Sequence, residues 1–237
     1  TRIVAAALDS GPTARQGVST VERTRVAVMG AGSVGTYIGG WLAAGADVTL
    51  VGRPHLVDAI ERDGLTVTDL RGRTREVRPD ALTLATEASA IVGADIVLLT
   101  TKTLDLQAAV AQIAPYLGHD SIVLSFQNGL RNASAIDEAL AGAFPSRASR
   151  PLVLSGMVPF NVVRSGETHW TQTTSGHLVA KDHPRVDPFV KAAHGAGLRV
   201  DVEPDMRAVL YAKLLLNLNN AITALTGLPL AVEMRDR

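Results

Sequence analysis

Four groups of residues in this 237-residue chain have types and spacings that could do chemistry. The first is Gly30, Gly32 and Gly35, spaced G-x-G-x-x-G, between the apolar run Val26-Ala27-Val28-Met29 and a helically patterned segment at 36–44. Strand, tight turn and helix in that order make a dinucleotide cradle. The first glycine turns the chain, the second admits a pyrophosphate to the backbone, and the third lets the helix pack on the sheet. Phosphates would rest on the N–H groups of Gly30, Ala31, Gly32, Ser33, Val34 and Gly35, at the positive end of the helix dipole. The second group is Arg53, about 20 residues past the glycines, where an acidic side chain would hold a ribose 2′-hydroxyl. A guanidinium cannot accept from that hydroxyl but pairs with a 2′-phosphate, which points to NADP rather than NAD. The third is Lys102 and Asn128, a cation and a donor-acceptor amide directly after two apolar runs. The fourth is Lys213, Asn217 and Asn220, at about 0°, 40° and −20° around a helix and therefore on one narrow polar face. Each has a plain structural alternative: a glycine-rich turn with no ligand, a solvated loop arginine, a strand-end lysine and a turn asparagine before Gly129, and a solvated helix stripe.

The elements that must position these groups follow from periodicity. Residues 47–51 (DVTLV) predict a second strand, and Pro54 suits the first turn of a helix through Glu61. Residues 64–84 alternate apolar and polar around Arg71-Gly72-Arg73 and predict strands or a hairpin, with Arg71, Arg73, Arg75 and Arg78 on a solvated face. Residues 94–101 (ADIVLLTT) and 121–126 are continuous apolar runs that suit strands buried on both faces, with a helix at about 105–116 between them. This βαβ alternation predicts an α/β fold with a doubly wound, mostly parallel sheet of the Rossmann type. Lys102 and Asn128 would then sit beyond its carboxyl ends, where such sheets bind ligands. Residues 151–163 and 168–180 predict strands joined at Arg164-Ser165-Gly166 that complete the far half of the sheet, followed by a helix at 186–194 and a strand at 198–202. From Pro204 to Thr226 one long helix opens a helical region. The divisions expected are a polar arm at 1–24, a cofactor domain at 25–203, and the first part of a substrate and dimerisation domain at 204–237.

Composition narrows the partners. Lys plus Arg equals Asp plus Glu at 23 each, so there is no basic surplus for a nucleic acid backbone. There is no cysteine, and the six histidines lack metal-site spacing, so no metal is expected and a reducing cytoplasm fits. No run approaches the ~20 apolar residues of a membrane-spanning helix.

The motifs GAGSVG (30–35), Arg53, TTK ending at Lys102, QNG (127–129) and YAKLLLNLNNAITALTG (211–227), in this order, resemble the ketopantoate reductases (2-dehydropantoate 2-reductases). The resemblance covers residue 25 to the end. It implies a Rossmann domain followed by an all-helical domain, with a small 2-keto acid in the cleft between them and NADPH as reductant. It implies that Lys213 is the general acid protonating the C2 oxygen as hydride arrives, a role an ammonium can fill at neutral pH. Asn128 would hold substrate and cofactor in register, Lys102 would lie near the substrate, and Asn217 would bind the substrate hydroxyl end. A second asparagine is expected at position 221, where this chain has Ala221. Asn220, one residue early but on the same face, is the weaker substitute. The resemblance further implies helices beyond Arg237 that bring a serine and a glutamate to the substrate. The chain is therefore expected either to be part of a longer protein or to have its lysine helix covered by a second chain, as in a homodimer. The competing readings are a non-catalytic NADP-binding module, a reductase of another branched 2-keto acid, and an NAD-linked dehydrogenase, which Arg53 disfavours.

Overall fold

The computed structural model describes residues 23–226, with side chains as far as Leu218. The arm expected at 1–24 lies outside the described residues except for its last two. There, Arg23 pairs with Asp47 at 3.0 Å and the Thr24 carbonyl accepts from Asp47 N.

The chain opens with β1 (Arg25–Met29), α1 (Ser33–Leu42), β2 (Asp47–Val51) and α2 (Pro54–Asp63), which starts at Pro54 because proline needs no N–H partner there. A hairpin of β3 (Leu65–Thr68) and β4 (Thr74–Val77) follows, then β5 (Thr83–Ala85), β6 (Ile96–Leu99), α3 (Leu106–Ile113), β7 (Ile122–Ser125) and α4 (Asn132–Ala143). The remaining elements are β8 (Leu152–Met157), β9 (Val162–Arg164), β10 (His169–Gln172), β11 (Leu178–Lys181), α5 (Asp187–Gly195), β12 (Val200–Glu203) and α6 (Met206–Thr226). The long helix begins two residues later than expected. Pro204 precedes it, and Asp205 Oδ1 accepts from Ala208 N at 3.1 Å, so the carboxylate rather than the proline sets the start. Among the described residues no helix is long and apolar enough to cross a membrane.

Eight strands form one sheet in the order β12-β11-β8-β7-β6-β1-β2-β5. All neighbours are parallel except β8 and β11. The doubly wound, mostly parallel fold is thus present, and its central strands are buried on both faces as their unbroken apolar runs require. Alternate side chains feed two cores. Val26, Val28, Leu50 and Leu98 face α1 and α5, while Ala27, Met29, Val97 and Leu99 face α3 and α4.

Two expectations are corrected. Residues 151–180 do not all complete the far half of the main sheet. Only β8 and β11 join it, whereas β9 and β10 pair with β3 and β4 in a second sheet ordered β4-β3-β10-β9. This small sheet lies on the outer side of α1, which becomes a middle layer. An added Cβ at Gly39 would come within 2.4 Å of Leu50, and one at Gly40 within 2.7 Å of Val67, so glycine lets this helix approach both sheets. Nor are all four arginines solvated: Arg71, Arg73 and Arg78 are exposed, but Arg75 is half-buried. Arg73 and Arg75 lie over the Trp41 ring at 5.4 and 5.0 Å, and Arg75 donates to Ala196 O at 2.9 Å, which ties the hairpin to the main body.

Candidate active site

The chain order reverses between β1 and β6. After β5 the chain crosses back to the other side of β1, and the crevice beyond the carboxyl ends of these strands is where doubly wound sheets take ligands. A cleft of about 770 Å³ opens there, walled by the turn after β1, the start of α2 and the strand end after β6. The turn is pinned on both sides. Gly30 N and Ala31 N donate to Val51 O at 3.2 and 2.9 Å, and Thr100 Oγ1 donates to Gly30 O at 2.7 Å. Gly30 has φ +107°, open to glycine and strained for other residues, and a Cβ there would sit 2.8 Å from Thr101 N. A Cβ at Gly35 would lie 2.4 Å from Gly30 O, so this glycine lets the helix close on the turn. At Gly32 a Cβ would meet nothing within 4 Å; that side faces open space. The first intrahelical bond of α1 is Thr36 N to Gly32 O, so the N–H groups of Ser33, Val34 and Gly35 precede it, and no side chain caps this end.

Gly30, Ala31, Gly32, Ser33, Arg53 and Lys102 all line the cleft. Val34 packs against the core and Gly35 lies beneath the turn, so what they offer a ligand is backbone N–H rather than wall. Arg53 is exposed at the N-cap of α2 and makes no ion pair among the described residues. An uncapped helix start, an open face at Gly32 and an unpaired guanidinium suit an anionic dinucleotide.

Asn128, Lys213 and Asn217 meet in a second, smaller cavity, of about 20 Å³, between the loop after β7, the end of β8 and α6. Lys213 is half-buried, and its ammonium donates to Pro159 O at 3.4 Å. The Asn128 carbonyl accepts from Thr103 Oγ1 at 3.0 Å and Asn132 Nδ2 at 2.7 Å, while its side-chain amide makes no hydrogen bond among the described residues. Lys102 and Asn128, read from the sequence as one pair, therefore face different cavities from adjacent strand ends. The side chain of Asn220 lies outside the described residues.

Three contributors escaped the sequence reading. Buried Gln127 donates from Nε2 to Thr101 O at 2.9 Å and Thr101 Oγ1 at 3.1 Å, clamping together the loops that carry Lys102 and Asn128. Its place in QNG was visible, but its direction was not. Arg164 and Trp170 reach the large cleft from the second sheet. No local signal marks them, because the pairing of β10 with β3 brings together residues about 100 positions apart.

Comparison with known proteins agrees with this architecture. Residues 26–185 match the family described as Ketopantoate reductase PanE/ApbA. A 2-dehydropantoate 2-reductase of Halobacterium salinarum is 33% identical over 214 residues, covering 85% of this chain and 65% of that protein. One from Mesorhizobium japonicum is 28% identical over 235 residues, covering 90% of this chain and 70% of that protein. The crystal structure of a PanE/ApbA family ketopantoate reductase from Ralstonia eutropha JMP134 superposes with a TM-score of 0.73 at 34% identity, covering 87% of this chain and 65% of that one. The chain thus spans about two thirds of the length of these relatives. On the extent of the match and the fold it shares, the chain belongs to the PanE/ApbA ketopantoate reductase family.

Proposed function

We propose that this protein is the cofactor-binding part of a cytoplasmic NADPH-dependent reductase converting 2-dehydropantoate to pantoate. Residues 25–203 serve the cofactor, and 204–237 open the substrate and dimerisation domain. The observation that carries the reading is the meeting of Asn128, from the loop after β7, with Lys213 and Asn217 of α6 in one cavity, while Lys102 at the neighbouring strand end lines the large cleft. When bound, NADPH supplies the hydride that reduces the C2 carbonyl. The chain's own residues then have defined tasks. Gly30 to Gly35 and Arg53 hold the phosphates. Negative charge builds on the ketone oxygen as the carbonyl is reduced, and Lys213 Nζ donates the proton that makes it a hydroxyl. The Asn128 amide fixes the carbonyl relative to the cofactor, Lys102 adds positive charge on the cofactor side in the large cleft, and Asn217, one turn from Lys213, bonds the hydroxyl at the far end, with Asn220 the weaker candidate for a second amide. This cavity of about 20 Å³ holds roughly one water.

The test is NADPH consumption, followed by absorbance, with 2-dehydropantoate and a panel of other branched 2-keto acids. Lys213→Ala is expected to cut kcat by about 10²-fold or more while the Kd for NADPH stays within about twofold. Full turnover in that variant overturns the assignment of Lys213. Tight NADPH binding with no turnover on any keto acid, in a protein verified to end at Arg237, overturns catalysis and leaves a binding module.

A further inference from the structure

The second sheet has no place in the proposed chemistry, yet it sends one cation into the large cleft. Arg164, the last residue of β9, lines that cleft together with Gly32, Ser33, Arg53 and Leu56. Its guanidinium lies over the ring of Trp170 at 5.4 Å, and Trp170, itself buried, forms part of the same wall. Among the described residues its polar partner is one backbone carbonyl: Nε donates to Glu167 O at 2.8 Å, and Nη2 donates to the same oxygen. Nη1 makes no hydrogen bond among the described residues. The nearest acid in sequence does not neutralise it, because the Glu167 carboxylate is taken by Arg62 at 2.8 Å. The result is an arginine held flat on an aromatic face, with its charge uncompensated and one edge free. It shares the lining of the cleft with the residues that start α1 and α2, Ser33 and Pro54. Planar guanidinium edges are matched to phosphate oxygens, and stacking reduces the entropy lost on binding one.

We propose that Arg164 is a second guanidinium for the 2′-phosphate of the dinucleotide, closing on it from the small sheet opposite Arg53. The β3-β4-β10-β9 sheet then acts as a specificity device: it fixes a residue more than 100 positions downstream of Arg53 on the same anion. The inference rests on the reading of the cleft as an NADP site.

The experiment measures Kd for NADPH, NADH and 2′,5′-ADP, a probe with the 2′-phosphate but no nicotinamide. Protein fluorescence serves as the readout, since Trp41 and Trp170 are the two tryptophans and Trp170 lines the cleft. Arg164→Gln should weaken NADPH and 2′,5′-ADP by about fivefold or more and leave NADH within about twofold. Arg164→Met keeps an apolar stem over Trp170 without the charge and should do the same, so either variant that folds decides the matter. Arg164→Lys should recover part of the loss. Equal weakening of NADPH and NADH, or no weakening of either, overturns the inference. Arg53→Ala separates the two failures. If it lowers the preference for NADPH while the Arg164 variants do not, only the role of Arg164 falls. If it leaves the preference unchanged, the NADP reading falls and Arg164 with it.

Discussion

Two glycines of the turn answer different physical demands, and substitution can tell them apart. Gly35 has no room for a Cβ, which would lie 2.4 Å from Gly30 O and 2.5 Å from Thr100 Oγ1, both fixed by the turn itself. Gly35→Ala is expected to destabilise the protein by about 1–3 kcal/mol in urea unfolding, through overpacking. Gly32 has open space on its Cβ side and φ −81°, which any residue adopts. Gly32→Ala should leave stability within about 0.5 kcal/mol of wild type but weaken NADPH binding, measured by titration, because the methyl fills the approach of the pyrophosphate. A large fall in stability in Gly32→Ala, or undiminished NADPH affinity, contradicts this division of labour.

At the scale of elements, α1 is the joint of the molecule. Its N-terminus faces the cleft, its inner side packs on the main sheet and its outer side on the small one. Tyr37 fixes the outer side by donating from its phenol to Gln172 Oε1 at 2.9 Å, with its ring edge-to-face with Phe160 at 5.7 Å. Burial pushes the Tyr37 phenol up to about 12, so it remains a neutral donor across the working pH range. Tyr37→Phe leaves Gln172 without this donor and should cost about 1–2 kcal/mol in urea unfolding. If the small sheet also positions Arg164, the same change should loosen NADPH more than NADH. At the other end, α6 leans on β8 and carries Lys213 inward, while Leu215 and Leu216 are 64% and 65% exposed. The polar stripe faces the body of the protein, and these leucines face away from it.

Across the whole molecule, two carboxylates join segments distant from each other or brace a turn, and both make stability depend on acid. Burial acts to raise the carboxyl of Asp69, but the Arg73 side chain and the N–H groups of Arg73 and Arg71 outweigh it and hold the carboxyl below its ordinary range. Asp95 is lowered in the same way, burial being outweighed by the side chain and N–H of Arg25. A carboxylate depressed in the folded state contributes stability above its unfolded pKa, near ~3.9, and loses it as pH falls through the folded value. The urea midpoint should therefore hold steady from about pH 7 to 5 and fall below about pH 4, with a shallower fall in the Asp69→Asn/Asp95→Asn double variant. Much of this molecule was legible in its residues. The glycine spacing, the unbroken apolar runs of β6 and β7, and Arg53 after β2 are local signals, each reflecting a constraint met within a few residues: a turn, a strand buried on both faces, a charge at a strand end. The face shared by Lys213 and Asn217 was equally readable, since helical geometry alone puts them together. The sequence by itself did not determine which sheet β9 and β10 would join, that Arg73 and Arg75 would stack on Trp41, or that Lys102 and Asn128 would face separate cavities. The first was decided by pairing across about 100 residues, the second by the packing of the hairpin against α1, and the third by which elements each strand-end loop meets, α6 for Asn128 and the glycine turn for Lys102; such tertiary contacts leave no periodic trace in the segments that make them.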